Sequence, residues 1–193
     1  MGYVTGGFAI LGYLFFTAIA YIMYPSAYTP TANWLSDLGN YSRNPAGALF
    51  YDVGVFLTGA LIAAFAISYL AWRKELRRRG QVLLSIGVVS GVAAGVSLAS
   101  TGFFPLPTPV HGLIGMSFQI NMADLIVFST VALLRHPKFI RPIAYFAFVS
   151  VIADLNFSVL NNTPIFEWLD IGLFLVYAAL MAFNFRKSFS LRQ

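Results

Sequence analysis

The chain contains no cysteine among its 193 residues, and only 10% of its residues are charged. Without cysteine there is no disulfide framework, no thiolate metal site and no cysteine nucleophile. A soluble domain carries about 25% charged residues, whereas 59% of this chain is hydrophobic. The composition therefore excludes a soluble enzyme, a DNA-binding domain and a disordered tail, and we expect no nucleic-acid partner.

Common catalytic motifs are also missing. The sequence has no H-E-x-x-H, G-x-S-x-G, P-loop or G-x-G-x-x-G pattern. Its two histidines, His111 and His136, are too few for a three-histidine zinc site. We expect no metal and no cofactor, and a non-catalytic protein is favoured, although the sequence leaves catalysis open.

Long apolar runs are the dominant feature of the chain. A membrane-spanning helix needs about 20 mainly apolar residues. These runs are too long and too continuously apolar for barrel strands of about ten residues. The sequence predicts an all-α integral membrane protein, one domain over residues 1–193, in which a bundle of six transmembrane helices covers 7–24, 47–72, 81–104, 112–134, 142–160 and 165–185.

The basic residues indicate the orientation. Of the 12 lysines and arginines, all but Arg43 fall in the connection between runs two and three, the connection between runs four and five, or the tail. Basic residues collect on the cytoplasmic side of membrane proteins. We therefore expect a multi-pass protein of the cell membrane with both termini cytoplasmic and its basic segments next to lipid headgroups. Trp34, Trp72 and Trp168 fall at run edges, as in an aromatic belt.

Acidic residues inside the apolar runs are the candidate functional groups. An Asp at a helix centre costs at least about 2.5 kcal/mol in a bilayer, and no Lys or Arg lies inside a run to neutralise one. Asp124 falls near the midplane, about 18 Å into its helix, and shares a face with Asn121. Ser150, Asp154 and Ser158 share another face. The remaining acids, nearer the outer side, are Asp52, Glu167 and Asp170.

Three interpretations of these acids compete. They form a structural hydrogen-bond network between helices, a lipid-headgroup or small-molecule site at the outer interface, or a proton or cation pathway. The outer connections add Ser36, Asp37 and His111 to this set.

Small residues form a ridge on the third run. Gly87, Gly91 and Gly95 recur every four residues and are followed by Ala99. Such a ridge lets another helix approach closely. The partner is either a helix of the same chain or a second copy.

Several short motifs resemble a known family. Ser36-Asp37-Leu38-Gly39 with Pro45 precedes a glycine-containing span, and Gly102-Phe103-Phe104-Pro105 precedes His111 at the head of the next span. This pattern resembles the membrane family catalogued as domain of unknown function 998, over nearly the whole chain. The resemblance implies a six-span bundle, distantly similar to autophagy-modulator-like membrane proteins. It marks Asp37 and His111 as an outer pair, while Tyr51-Asp52 departs from the Asn that the family often has there.

The leading functional hypothesis is a protein that binds or senses a lipid or isoprenoid headgroup in an outward-facing polar pocket. Asp37 and His111 would form a hydrogen-bonded pair above it. The first alternative is a non-catalytic subunit of a larger membrane complex, and the second is a proton- or cation-coupled transporter. Expected partners are membrane lipids and either further copies of the chain or a larger complex. The expected pocket residues are Ser36, Asp37, Asp52, His111, Asp154, Glu167 and Asp170.

Overall fold

The computed structural model describes residues 2–156 and 163–189, and this part of the chain is helical. A 3₁₀ segment, Leu35–Gly39, lies between the first two helices, and a second one, Tyr69–Glu75, continues the second helix. The α-helices in chain order are α1 (Gly2–Ile22), α2 (Ala48–Ser68), α3 (Arg78–Thr101), α4 (His111–Leu133), α5 (Pro142–Leu155) and α6 (Pro164–Phe189).

Five of these helices are long and apolar enough to cross a membrane: α1, α2 with its 3₁₀ continuation, α3, α4 and α6. The protein is therefore a membrane protein. The described part of α5 is a shorter apolar helix of 14 residues, and the end of the run expected at 142–160 lies outside the described residues. α3 begins at Arg78, three residues before the expected start at residue 81.

The helices form a ring. Each helix packs against its neighbour in the chain, and α6 packs against α1. Buried side chains such as Ala94, Met122 and Tyr177 fill the interior. A small apolar cavity of about 50 Å³ remains at the centre, with walls from α1, α2, α3, α4 and α6. The ring places polar side chains from distant parts of the sequence around one interior space.

The glycine ridge of α3 is used inside the chain. A Cβ atom on Gly95 would lie 2.5 Å from the carbonyl oxygen of Gly59 and 2.7 Å from the backbone nitrogen of Ala63. One on Gly91 would lie 2.5 Å from the Cβ of Ala66, and one on Gly87 would lie 3.1 Å from the nitrogen of Ser129 in α4. The ridge thus contacts both α2 and α4 and is not a free surface.

At the end of the ring that carries the basic segments, Trp72 packs inside the bundle. Its side chain is 0% exposed and stacks on Phe185, with ring centroids 4.1 Å apart. The expectation that Trp72 belongs to an aromatic belt is wrong. A 3₁₀ segment has three residues per turn, so Tyr69 and Trp72 share one face and both turn towards α6.

Two of the basic segments meet at this same end. Glu75, after α2, lies 3.1 Å from the Nζ of Lys138 and 3.2 Å from the Nε2 of His136, both between α4 and α5. The hydroxyl of Ser188 in α6 donates to the carbonyl of Lys138. This basic end of the ring is opposite the end where the 3₁₀ segment Leu35–Gly39 lies.

We expect Gly95→Ala to lower the free energy of unfolding by about 1–3 kcal/mol, because the added methyl group forces two backbones apart. The matched control is Gly12→Ala in α1, where a Cβ would meet nothing within 4 Å. Thermal unfolding of both variants in detergent measures the difference. Equal stability of the two variants would contradict the close approach of α2 and α3.

Candidate functional site

The connection between α1 and α2 folds over the end of the ring opposite the basic segments. Its 3₁₀ segment is fastened to α6 because the N–H of Leu35 donates to Oε2 of Glu167 at 2.6 Å. The indole N–H of Trp168 donates to the carbonyl of Asn33 at 3.2 Å. The hydroxyl of Tyr28 donates to the carbonyl of Trp34 at 2.6 Å. These bonds fix the connection over the interior of the ring.

Asp37 stabilises this connection from within. It is 2% exposed, and its Oδ2 accepts hydrogen bonds from the N–H of Trp34 at 3.1 Å and from Nη1 of Arg43 at 2.8 Å.

Burial raises the pKa of Tyr28 far above its usual value, and the negative charges of Glu167 and Asp37 raise it further. Tyr28 is therefore a neutral hydrogen-bond donor here.

Asn44 anchors the same connection to α1. Its side chain is fully buried, and its Nδ2 donates to the carbonyls of Ala20 at 3.0 Å and Leu38 at 2.9 Å. Its Oδ1 accepts from the N–H of Gly47 at 3.1 Å. One amide therefore joins the end of α1, the 3₁₀ segment and the start of α2.

Beneath this connection lies a cavity of about 490 Å³, which we call the outer cavity. It is lined by α1, the α1–α2 connection, α2, α3, the start of α4 and α6. Both polar and apolar side chains line its walls. The lining comprises Tyr13, Trp34, Ser36, Tyr51, Leu98, Thr101, Pro109, His111, Gly112, Leu113, Gly115, Met116, Phe118, Gln119, Glu167 and Ile171.

Three of the expected pocket residues, Ser36, His111 and Glu167, line this cavity. Asp37 does not line it, and its carboxylate binds Arg43. The expected hydrogen bond between Asp37 and His111 is absent from the described residues: Nδ1 of His111 lies 2.8 Å from the carbonyl oxygen of Phe104 instead. His111 thereby holds the α3–α4 connection at the cavity wall.

The other expected acids lie outside the lining. Asp52 is buried in α2 beside the hydroxyl of Tyr41. Asp154 of α5 and Asp170 of α6 are each 2% exposed, and their carboxyl groups lie close enough to interact. Asp170 also interacts with Gln119, which lines the cavity. This pair therefore lies behind the cavity wall, and Ser158, expected on the same face, falls outside the described residues.

Part of the polar surface of α4, at Ser117 and Asn121, is directed towards α3. Nδ2 of Asn121 donates to the carbonyl of Ser117 at 2.8 Å, and the hydroxyls of Ser117 and Ser97 are 2.9 Å apart. Asp124 is half-buried, and no hydrogen bond or ion pair joins its carboxylate to another residue within 2–156 and 163–189. Among the expected site residues, Asp124 is therefore the one whose polar group has no partner in the described part of the chain.

Sequence reasoning missed the aromatic part of the outer cavity. The hydroxyls of Tyr13 and Tyr51 are 3.5 Å apart, and their rings meet edge to face. Trp34 joins them in the lining. The sequence did offer one signal: Tyr13 lies in the middle of an apolar run. A buried tyrosine hydroxyl needs a hydrogen-bond partner, which indicates a polar site nearby. Within the described ranges, no group of three or more His, Asp or Glu side chains is placed to hold a metal ion.

Apolar helices around a polar cavity define this chain as a multi-helix membrane protein. The chain matches the family model described as Protein of unknown function (DUF998) over residues 8–184, and it belongs to that family. No curated protein and no solved structure gives a match. The similarity to autophagy-modulator-like proteins therefore stays a prediction.

We expect Asn44→Ala to lower the free energy of unfolding by about 1–3 kcal/mol, because buried backbone groups lose their partner. Asn33→Ala is the matched control, since the Oδ1 of Asn33 accepts a single exposed hydrogen bond, from the N–H of Thr29. Thermal unfolding in detergent gives both values. A loss as large in the control would show that Asn44 is not the anchor of the connection.

Proposed function

We propose that the outer cavity binds the polar head of a membrane lipid. The observation that carries this proposal is the cavity itself: its volume of about 490 Å³ falls within the range of about 300–1,000 Å³ typical of small-molecule sites. Its hydroxyl, amide, imidazole and carboxylate groups come from α1, the α1–α2 connection, α2, α3, α4 and α6, so they converge only in the folded ring.

The edge of the cavity suits an amphiphile. Leu113 and Met116 of α4 belong to its lining and are 69% and 53% exposed. Apolar side chains thus stand beside the polar wall. A lipid places its head against such a wall and its chains along the apolar edge, whereas a fully polar solute gains nothing from that edge.

We further propose that all six helices cross the cell membrane, with both termini in the cytoplasm. Support comes from the separation of charge along the ring, because the basic segments around Glu75 and Lys138 lie at the end opposite the outer cavity. Basic segments favour the cytoplasmic side. The cavity then faces outward, next to the outer leaflet.

Filling the cavity tests the binding proposal. A Cβ on Gly115 would meet nothing within 4 Å, and Gly115 lines the cavity, so the side chain of Gly115→Leu begins in open space at the cavity wall and takes up part of the binding space. We expect native mass spectrometry of gently extracted protein to show a bound lipid-sized mass in the wild type and at least a tenfold lower occupancy in the variant, roughly the effect of losing about 1.4 kcal/mol of binding energy.

The matched control is Gly172→Leu in α6, which also has open space around its Cβ but does not line the cavity. It keeps the bound lipid if the proposal holds. Lipid retained equally by both variants would place the bound molecule elsewhere.

The orientation is testable with thiol chemistry, because the natural chain has no cysteine to interfere. We expect Thr31→Cys, in the α1–α2 connection, to react with a membrane-impermeant maleimide in intact cells. Arg77→Cys, between α2 and α3, reacts only after the membrane is opened. The reverse pattern would invert the topology.

A second candidate function, a subunit of a larger membrane complex, is favoured by Asp124. This half-buried carboxylate in a membrane helix has no partner in the described part of its own chain, and acids in a bilayer usually face a partner. Native mass spectrometry separates the two functions, since a subunit brings another polypeptide in fixed ratio. Proton- or cation-coupled transport stays a prediction from the sequence.

A further inference from the structure

We propose that the outer cavity selects the positively charged end of its ligand, a primary amine or quaternary ammonium group. This inference rests on the proposed function and names the chemical class of the headgroup. It separates zwitterionic lipids, which carry such a group, from anionic lipids and isoprenoid phosphates, which do not.

The charge of the lining supports the inference. Glu167 contributes a carboxylate, and there is no Lys or Arg among the described residues that line the cavity. Arg43, the basic residue of the α1–α2 connection, is bound to Asp37 and does not line the cavity. Beside Glu167, a phosphate group alone would therefore meet a negative charge with no Lys or Arg to offset it, whereas an ammonium group would be attracted to that charge.

Glu167 is held in place. Its Oε2 accepts from the N–H groups of Leu35 at 2.6 Å and Ser36 at 3.5 Å. In the described part of the chain, no lysine, arginine or histidine forms an ion pair with it. A fixed carboxylate without a cation partner, in the wall of a cavity, is half of an ion pair that a ligand completes.

Aromatic rings add a second attraction for cations. Tyr13, Tyr51 and Trp34 line the same cavity as Glu167. The rings of Tyr13 and Tyr51 are inclined at 64°, with centroids 6.5 Å apart, so the planes of the two rings differ in direction. Aromatic faces attract ammonium groups, and quaternary ammonium ligands are recognised by cages of such rings.

The start of α4 accommodates the phosphate of a zwitterionic head. Gly112 and Leu113, in its first turn, line the cavity. The first N–H groups of a helix have no partner within the helix and favour negative charge. A head that carries both a phosphate and an amine therefore matches two walls of the cavity, one at α4 and one at Glu167.

The test uses the intact chain in detergent and the fluorescence of its tryptophans, one of which, Trp34, lines the cavity. Dihexanoyl phosphatidylethanolamine and dihexanoyl phosphatidylglycerol have the same acyl chains and the same phosphate. The head of the first ends in a positively charged amine, whereas the head of the second is an uncharged glycerol. We expect the ethanolamine lipid to bind about tenfold more tightly, and Glu167→Gln to abolish this preference because it removes the charge that the amine meets. Asp124→Asn makes the same change from acid to amide outside the cavity and leaves the preference unchanged.

A ligand series on the wild-type protein keeps the inference testable if Glu167→Gln does not fold. N-acetylation of the ethanolamine lipid removes its positive charge, so the acetylated lipid is expected to bind as weakly as the glycerol lipid. Tetramethylammonium and ethanolamine are titrated alone. If they bind as tightly as the lipid, cation selection stands and the ligand is a free small cation.

The outcomes distinguish the two proposals. Equal or tighter binding of the glycerol lipid, or of farnesyl phosphate, overturns cation selection and leaves lipid binding in place. If no lipid binds and Gly115→Leu changes nothing, the proposed function itself fails. If acetylation leaves the affinity unchanged, the amine does not contact Glu167, and the inference is wrong.

Discussion

The site depends on the hydrogen bond that joins α6 to the α1–α2 connection, from the N–H of Leu35 to the carboxylate of Glu167. A membrane ring leaves its connections at the ends, where they are free to move unless something holds them. Here one side chain from a helix more than a hundred residues away fixes a backbone amide of the 3₁₀ segment. Together with the hydrogen bonds of Asn44 and of the Trp168 indole, this bond holds the α1–α2 connection over the outer cavity.

The ring itself is possible because α2 and α3 touch along glycine. In a bilayer the lipid tails are as apolar as the helices, so association relies on close packing and not on the hydrophobic effect. Gly59 and Gly95 bring two backbones to a distance at which no Cβ fits. The bulky residues Phe118, Ile171 and Leu98, from α4, α6 and α3, face the interior and line both the central cavity and the outer cavity.

Much of the fold was predictable, because apolar runs and basic segments follow directly from the cost of polar groups in lipid. The sequence also indicated that Ser36, His111 and Glu167 are candidates, since polar residues at the ends of spans are few. It could not show which of them share a cavity, because that depends on which way each helix is rotated. Trp72 illustrates the limit: its position at the end of a run favoured the membrane edge, but the 3₁₀ segment turns it onto Phe185.

Asp37 and Glu167 look alike in the sequence but have different roles in the structure. Asp37 and Glu167 both belong to the outer end, and both accept backbone N–H groups of the same connection. Arg43 neutralises Asp37, so the carboxylate of Asp37 has a structural role. The carboxylate of Glu167 has no such partner in the described chain and lies in the cavity wall among aromatic rings. The position of a single arginine thus decides which of the two acids is paired within the chain, and it leaves the carboxylate of Glu167 in the wall of the cavity without a cation partner among the described residues.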